Sequence, residues 1–157
     1  MTAAPPDPVD RIMAVMEQAF DPRYGEAWNR RQISDALLIG NCHFGLIGED
    51  GRDVTESSSP AAGFYLSRAI LDEEELLLFA IHPGHRRKGL GHILLERLIS
   101  DAGSRGIGRL FLEMRRGNPA ETLYAAHNFR IVGERRDYYR GADGERIDAI
   151  SQERLLV

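Results

Sequence analysis

The chain has 157 residues, of which 43% are hydrophobic and 28% are charged, and its formal net charge is −4. This length suits one domain with one hydrophobic core and leaves no room for a second catalytic domain, so we expect a single domain over residues 1–157. The weak negative charge excludes a global positive field of the kind that drives binding to nucleic acids or membrane surfaces.

The cysteine content and the first residues indicate a compartment. Cys42 is the only cysteine, so the chain cannot form an internal disulfide. The opening residues, MTAAPPDPVD, lack the basic region and apolar core of a signal peptide. The longest apolar runs, such as residues 76–81, are far shorter than the roughly 20 residues that span a bilayer. We therefore expect a cytoplasmic protein without a membrane segment.

Two helices are predicted near the start of the chain, after a proline-rich stretch at residues 1–8 that we expect to be a flexible tail. Residues 9–20 place apolar side chains at helical spacing. Residues 28–38 form the second predicted helix, in which Asn29 precedes Gln32 by three residues, as in a capping box.

Three strands are predicted next, at residues 42–48, 62–69 and 76–82. Residues 49–60, rich in Gly, Asp, Ser and Pro, are predicted to be a mobile loop between the first two strands. The third strand is so uniformly apolar that we expect it to be buried on both faces, at the centre of the sheet. The acidic residues 72–75 are predicted to be a solvated entrance to that strand, or to attract a cationic amine if they lie near a cleft.

The remaining elements alternate between helix and strand. A helix is predicted over residues 90–102, a strand over 109–114, a short helix from Asn118, and strands over 129–134 and 147–156. The apolar stripe of the first of these helices consists of Leu90, Ile93, Leu94, Leu98 and Ile99. This order predicts an α/β fold in which about four helices pack on a mixed central sheet of about six to seven strands.

A basic, glycine-rich turn joins the central strand to the following helix, in the segment LFAIHPGHRRKGLGH at residues 78–92. The main-chain N–H groups of such a turn, the positive end of the helix dipole and the side chains of Arg87 and Lys88 all favour a phosphate or pyrophosphate. Gly89 and Gly91 let the main chain approach that anion closely. The glycine spacing matches neither a dinucleotide-binding fold nor a nucleoside-triphosphate loop.

Within that segment, RRKGLG at residues 86–91 resembles the pyrophosphate-binding turn of the GNAT superfamily, Arg/Gln-x-x-Gly-x-Gly/Ala. The resemblance implies a GNAT fold and acetyl-CoA as cosubstrate, with no metal. It also implies that the turn binds the pyrophosphate and that the preceding strand lies along the pantetheine arm. The cofactor-binding residues implied in this way are Phe79, Ala80, Ile81, Arg86, Arg87, Lys88, Gly89, Leu90, Gly91 and His92.

Acetylation of an amine requires a group that accepts a proton, donors that polarise the thioester carbonyl and an acid for the leaving thiolate. Glu113, near the end of its strand, and Tyr124, on the following helix, should face the same cleft. Structural roles are also possible for both residues. Glu113 could pair with Arg115 or Arg135, and Tyr124 could be a packed core phenol.

The segment LEMRRGNPAETLYAAHNF resembles the pattern Leu-Glu-Val-Arg-x-x-Asn-x(6)-Tyr-x-x-x-Gly-Phe of bacterial N-terminal alanine acetyltransferases within the superfamily. The resemblance implies that Glu113 accepts the proton, Tyr124 donates one and Asn118 contacts acetyl-CoA. Asn118 is separated from Tyr124 by five residues, one fewer than in the pattern. The spacing from Asn118 to Glu121 independently fits a capping box.

The end of the chain extends this resemblance. Tyr138 and Tyr139 resemble a Tyr-Tyr element of the family, which implies contact with a peptide substrate, and either could replace Tyr124 as the acid. The resemblance implies that the acceptor is the N-terminal alanine of the small-subunit ribosomal protein numbered eighteen. The residues alone indicate only an amine, so a small-molecule acetyltransferase and a catalytically silent acyl-CoA-binding regulator stay open. We expect no nucleic-acid or membrane partner, and a monomer or weak dimer.

Other chemistry-bearing residues have simpler explanations. His82, His85 and His92 could suggest zinc, but no cysteine or carboxylate lies at ligand spacing from them, so we expect no metal. Cys42 lies in an apolar strand and is predicted to be an inert core residue.

Overall fold

The computed structural model describes residues 7–156. The helices within this range are α1 (Pro8–Ala19), α2 (Arg30–Ile39), α3 (Leu90–Ser104) and α4 (Ala120–Ala126). The strands are β1 (Cys42–Ile47), β2 (Gly63–Ile70), β3 (Glu73–Ile81), β4 (Arg109–Arg115), β5 (Arg130–Arg140) and β6 (Arg146–Leu155). Every predicted element is present. The largest shift is in β5, which continues to Arg140 where a strand ending at residue 134 was predicted.

The six strands form one mixed sheet in the order β1-β2-β3-β4-β6-β5. Neighbouring strands are antiparallel except for β3 and β4, which are parallel. The predicted mixed α/β sheet with four helices is therefore confirmed, and β3 takes its predicted central position. Within residues 7–156, no helix is long and apolar enough to cross a bilayer.

Helices cover both faces of the sheet. One hydrophobic cluster lies between the sheet and α1 and α2, and the other lies between the sheet and α3 and α4. The stripe predicted on α3 is correct for Leu90, Leu94 and Leu98, which are all buried. It is wrong for Ile93, which is 39% exposed, because the buried face of α3 is rotated towards Leu95.

The N-terminal helix begins slightly earlier than predicted. Pro8 is its first residue, and the Asp7 side chain caps it by accepting a hydrogen bond of 2.9 Å from the Val9 N–H group. Pro8 therefore belongs to the helix and Asp7 to its cap, so neither lies in a flexible tail. The rest of that tail, residues 1–6, lies outside the described residues.

The predicted capping box of α2 is confirmed. The Asn29 side chain accepts a hydrogen bond of 2.9 Å from the Gln32 N–H group, and the Gln32 side chain accepts one of 2.8 Å from the Asn29 N–H group. We expect Asn29→Ala to lower the free energy of unfolding by about 1 kcal/mol, as measured by urea denaturation. Asn29→Asp keeps an acceptor at this position and should cost less than about half as much. Equal losses in both variants would contradict capping as the source of the stability.

The segment predicted to be a mobile loop, residues 49–60, is tied to α1. Arg11 of α1 is only 8% exposed, and its guanidinium donates hydrogen bonds to the main-chain carbonyls of Val54 and Ser59 at 2.7 and 2.5 Å. Val54 is itself buried. A buried guanidinium requires hydrogen-bond acceptors, and the main chain of this loop supplies them. The middle of the loop is therefore bonded to α1, which its composition did not predict.

The acidic segment before β3 also differs from the prediction. β3 begins at Glu73, and Glu74 is completely buried, not solvated. Arg105, at the end of α3, donates to both carboxylate oxygens of Glu74 at 2.7 to 3.1 Å, and the Ser67 hydroxyl of β2 donates at 2.8 Å. The prediction failed for Glu74 because its cationic partner, Arg105, lies 31 positions away in the chain, and because Ser67 meets it only through the pairing of β2 with β3.

The parallel strands β3 and β4 pair only along their first halves. Their pairing ends at Leu76 and Leu112, although both strands continue. At the same point, a bulge in the pairing with β2 leaves Leu77 without a cross-strand partner. The bulge reverses the alternation, so Leu76 packs on the α3 side and Leu78 on the α1 side. A gap therefore opens between the carboxyl ends of β3 and β4.

Candidate active site

A cavity of about 740 Å³ lies beside the end of β3 and the start of α3. Most of the residues predicted to bind a cofactor line it, and Lys88 does not. The Lys88 ammonium instead lies 3.4 Å from the His85 ring. The predicted residues that line the cavity are Phe79, Ala80, Ile81, Arg86, Arg87, Gly89, Leu90, Gly91, His92 and Asn118.

The start of α3 provides an anion-binding surface in this cavity. Gly89 is the N-cap residue, with a φ of 78°, and no side chain among residues 7–156 accepts from the first N–H groups of the helix. These groups and the positive end of the helix dipole therefore remain available to an anion. Gly91 keeps the space open, because a Cβ atom there would lie 3.3 Å from Leu123, which lines the same cavity. Arg87 adds positive charge.

Arg86 lines the cavity and also forms hydrogen bonds that connect two elements of the fold. Its guanidinium donates hydrogen bonds to the main-chain carbonyls of Ile81 at 3.2 Å and of Ala19 at 2.8 Å. Arg86 thereby holds the end of α1 against the end of β3. Its charge reaches the cavity, while two of its donors are already used.

The histidines of this region form close contacts with other histidines. The Nδ1 atom of His92 lies 2.9 Å from the Nε2 atom of His127, at the end of α4. Burial, with the nearby His92 ring as a further cause, lowers the pKa of His127. Within residues 7–156, no group of three or more His, Cys, Asp or Glu side chains is arranged to hold a metal ion.

A second cavity, of about 290 Å³, lies at the same gap and is lined in part by the segment that connects α1 and α2. Glu113, Trp28 and Tyr139 are among its lining residues. The two cavities share Phe20, Glu26, Phe79, Asn118 and Tyr124. They therefore meet where β3 and β4 separate, so that a group bound in one could react with a group bound in the other.

Glu113 faces the second cavity with its side chain 25% exposed. The Ser151 hydroxyl donates to its carboxylate at 3.4 Å, and the Arg135 guanidinium lies 3.4 Å away. The predicted pairing with Arg135 is thus observed, and the alternative pairing with Arg115 is not, since Arg115 pairs with Glu26. The carboxylate is held in place and still borders open space.

Tyr124 lines both cavities although its residue is only 6% exposed. Its ring packs against those of Phe79 and Phe129, with centroid distances of 6.1 and 5.6 Å. Burial, followed by the charge of Glu26, raises its pKa well above the usual value. Within the described residues, its hydroxyl has no hydrogen-bond partner. Tyr124 is therefore a packed phenol that also faces the junction.

Asn118 lies in the turn before α4, beside this phenol. Its side-chain oxygen accepts a hydrogen bond of 3.0 Å from the Ala120 N–H group, so the reciprocal capping box expected with Glu121 is not formed. α4 begins only at Ala120, so residues 118 and 119 lie in the turn before it. Asn118 and Tyr124 both line the two cavities despite the shortened spacing.

The two tyrosines of β5 have different surroundings. Tyr139 lines the second cavity, and burial together with the charge of Glu113 raises its pKa to about 12. Tyr138 is 52% exposed, lines neither cavity and packs edge-to-face on Tyr139 at 5.2 Å. β5 is irregular immediately before these two tyrosines, where its pairing with β6 shifts register between Arg135 and Tyr139. Asp137 has a φ of 53°, and its N–H group donates to the Asp148 carboxylate at 2.9 Å.

Glu26 is a site residue that the sequence analysis did not find. It lies after a short 3₁₀ turn between α1 and α2, lines both cavities and accepts a hydrogen bond of 3.1 Å from Arg115. The Arg115 guanidinium also lies over the ring of Tyr24, 3.7 Å from its centroid. No motif marks Glu26 in the sequence, because its partner is at the end of β4.

Comparison with known proteins gives the following similarities. The chain matches the sequence profile of the Acetyltransferase (GNAT) family over residues 10–129. It is 42% identical over 90 residues to the [Ribosomal protein bS18]-alanine N-acetyltransferase of Escherichia coli K12, which covers 57% of this chain and 60% of that relative. The streptothricin acetyltransferase of Streptomyces lavendulae is 30% identical over 103 residues, with 65% and 51% covered.

A solved structure extends the similarity over more of the chain. The crystal structure of the ribosomal-protein-S18-alanine N-acetyltransferase from Escherichia coli has a TM-score of 0.77 and 28% sequence identity. That comparison covers 94% of this chain and 87% of the solved chain. The sequence alignment, in contrast, spans about 60% of the length of the first curated relatives.

Proposed function

The chain belongs to the GNAT acetyltransferase family, and we propose that it transfers the acetyl group of acetyl-CoA to the N-terminal α-amine of a protein. The first candidate acceptor is the N-terminal alanine of a small-subunit ribosomal protein, as in the similar Escherichia coli enzymes. One observation carries the proposal. Two cavities, one with an anion-binding helix end and one with a carboxylate, meet at the gap between two parallel strands.

The larger cavity suits acetyl-CoA. The free N–H groups of α3, with Arg87 and His92 beside them, would bind its pyrophosphate, and residues 79–81 would lie along the pantetheine arm. Acetyl-CoA supplies an acetyl thioester that an amine can attack. Beyond Leu76, the edge of β3 that faces β4 has no strand partner in the described part of the chain, so its main-chain N–H groups are available to polarise the thioester carbonyl.

The smaller cavity suits the acceptor amine. In the proposed reaction, Glu113 takes a proton from the ammonium through a water molecule, and the neutral amine attacks the carbonyl carbon. A C–N bond forms and the C–S bond breaks, with Tyr124 giving its proton to the leaving thiolate. The nitrogen loses its second proton to water, and Tyr124 regains a proton from water. Tyr124 is favoured over Tyr139 as the acid, because only Tyr124 lines both cavities.

A small-molecule amine is the second candidate acceptor. The identity with a streptothricin acetyltransferase supports it, and the smaller cavity opens to the surface next to exposed residues of β5. The carboxylate of Glu113 and the phenol of Tyr124 would also serve the acetylation of a small amine. The acceptors must therefore be distinguished by experiment.

The proposal is tested by incubating the purified protein with acetyl-CoA and peptides that begin with Ala, Ser or Met. Thiol release and peptide mass are followed for the wild type and for Glu113→Gln. We expect acetylation of the alanine peptide at its α-amine, and a rate at least about tenfold lower in the variant, since a general base is lost.

Glu17→Gln is the matched control, because Glu17 is exposed on α1 and lines neither cavity. It should acetylate the peptide at the wild-type rate. Tight binding of CoA without turnover of any peptide would contradict the proposal. Turnover of small amines under those conditions would then identify the second candidate, and no turnover at all would identify a silent CoA-binding protein.

A further inference from the structure

Glu26 lies in the wall where the two cavities meet. It is one of the five residues that line both, and it is the one carboxylate among them. Glu113 lines only the smaller cavity, in which the acceptor is proposed to bind and which is called the acceptor cavity below. An amine that reaches the shared wall from the smaller cavity, which Glu113 also lines, therefore comes next to Glu26.

The surroundings of Glu26 keep its charge close to this junction. Its side chain is 18% exposed, and that of its partner Arg115 is 14% exposed. Burial is the main cause of the raised pKa of Tyr124, and the charge of Glu26 is the second. Glu26 also contributes, after burial and Glu113, to the raised pKa of Tyr139. Its charge thus acts on both tyrosines that line the smaller cavity.

The ion pair leaves part of the carboxylate available. Arg115 bonds to Glu26 through Nε and the Oε1 atom, in a contact with one hydrogen bond and not two. The flat face of the guanidinium is occupied by the ring of Tyr24. The second oxygen of Glu26 has no hydrogen-bond partner among residues 7–156, so it can accept from a donor that enters the junction.

We propose that Glu26 binds the acceptor's α-ammonium at the junction of the cavities, sharing its charge between that ammonium and Arg115. This inference rests on the proposed function and adds a division of work between two carboxylates. Glu26 stabilises the bound cation and selects charged acceptors, whereas Glu113 removes the proton. Arg115 limits the strength of the first interaction, so that the ammonium is held without being trapped.

The test separates recognition of charge from general peptide binding. Two peptides of the same sequence are titrated calorimetrically into CoA-saturated protein, one with N-terminal alanine and one with lactic acid, whose hydroxyl replaces the amine. At pH 6.5 the α-amine, with a pKa of about 7.7 to 8.0, is protonated. We expect the wild type to bind the alanine peptide about tenfold more tightly, as a charge-assisted hydrogen bond should produce.

Two variants should shift this preference in opposite directions. Glu26→Gln should reduce it to about twofold or less, while the affinity for the lactyl peptide stays within about twofold of the wild type. Arg115→Met should increase it, because Glu26 then interacts with the ammonium alone. Glu17→Gln removes the same charge far from the cavities and should keep the wild-type preference. The Arg115 variant also keeps the test decisive if Glu26→Gln folds poorly.

The outcomes are distinguishable. Equal weakening of both peptides in Glu26→Gln would give Glu26 a merely structural role and would overturn the inference, as would a preference that persists in this variant. If the wild type binds neither peptide, the proposed function itself fails and the inference fails with it. In the first two cases the wild type still binds the alanine peptide.

Discussion

Replacing Tyr124 with phenylalanine should lower kcat for acetylation of an alanine-ended peptide by about a hundredfold, which is a typical contribution of a general acid. The substitution removes one hydroxyl and keeps the ring that packs on Phe79 and Phe129. The affinity for acetyl-CoA should therefore stay within about twofold of the wild type. Steady-state kinetics with varied peptide and a direct measurement of acetyl-CoA binding provide the two quantities.

Tyr139→Phe is the matched control for this prediction, since Tyr139 lines only the acceptor cavity. Loss of the Tyr139 hydroxyl should lower kcat less than loss of the Tyr124 hydroxyl does. A larger loss in Tyr139→Phe than in Tyr124→Phe would identify Tyr139 as the acid. The pH profile gives an independent check. Because burial raises the pKa of Tyr124, the phenol keeps its proton as the pH rises, and wild-type kcat should not fall between about pH 8 and 10.

Replacing Arg105 with methionine should lower the free energy of unfolding by about 3–5 kcal/mol, a large part of the roughly 5–15 kcal/mol that stabilises a domain. The variant would leave the completely buried carboxylate of Glu74 with the Ser67 hydroxyl and without its cation. An unpaired buried charge is far more costly than the net stability that the ion pair contributes. Urea denaturation at neutral pH measures the loss.

A double variant that replaces both Arg105 and Glu74 completes this test. Arg105→Met combined with Glu74→Leu should be less destabilising than Arg105→Met alone, because no charge is then left in the interior. Arg31→Met is the control, since the Arg31 side chain is 91% exposed and pairs only loosely with Asp35. A double variant as unstable as the single one would show that Arg105 acts through packing and not through its charge.

The wall of the larger cavity at the start of α3 could be predicted because it is built from consecutive residues. A strand, a glycine-rich turn and a helix N-terminus occupy residues 78–92, and the N–H groups of α3 belong to the same short segment. The order of strand, glycine-rich basic turn and helix could therefore predict a phosphate site there. The exception was Lys88, which turns towards His85, and nothing in the local pattern indicates the direction of that side chain.

The sequence identified the residues around the gap between β3 and β4 less completely than those at the start of α3. Glu113 and Tyr124 do face connected cavities, which makes the proposed roles geometrically possible. Glu26 was missed, and Tyr138 lies outside both cavities. The position of Tyr139 depends on an irregularity in β5 near Asp137, which hydrophobic alternation cannot predict.

The amino-acid sequence by itself determined the order and type of the elements, the capping of α2 and the glycine-rich turn before α3. Each of these depends on side chains within a few positions of one another, where helical and strand periodicity act directly. Tertiary structure alone determined the partners that meet across the chain. Arg105 reaches Glu74 over 31 positions, Arg11 reaches Val54 over 43, and Arg115 reaches Glu26 over 89. Such pairs form only when packing of the sheet and helices brings distant segments together, and burial then makes their hydrogen bonds obligatory.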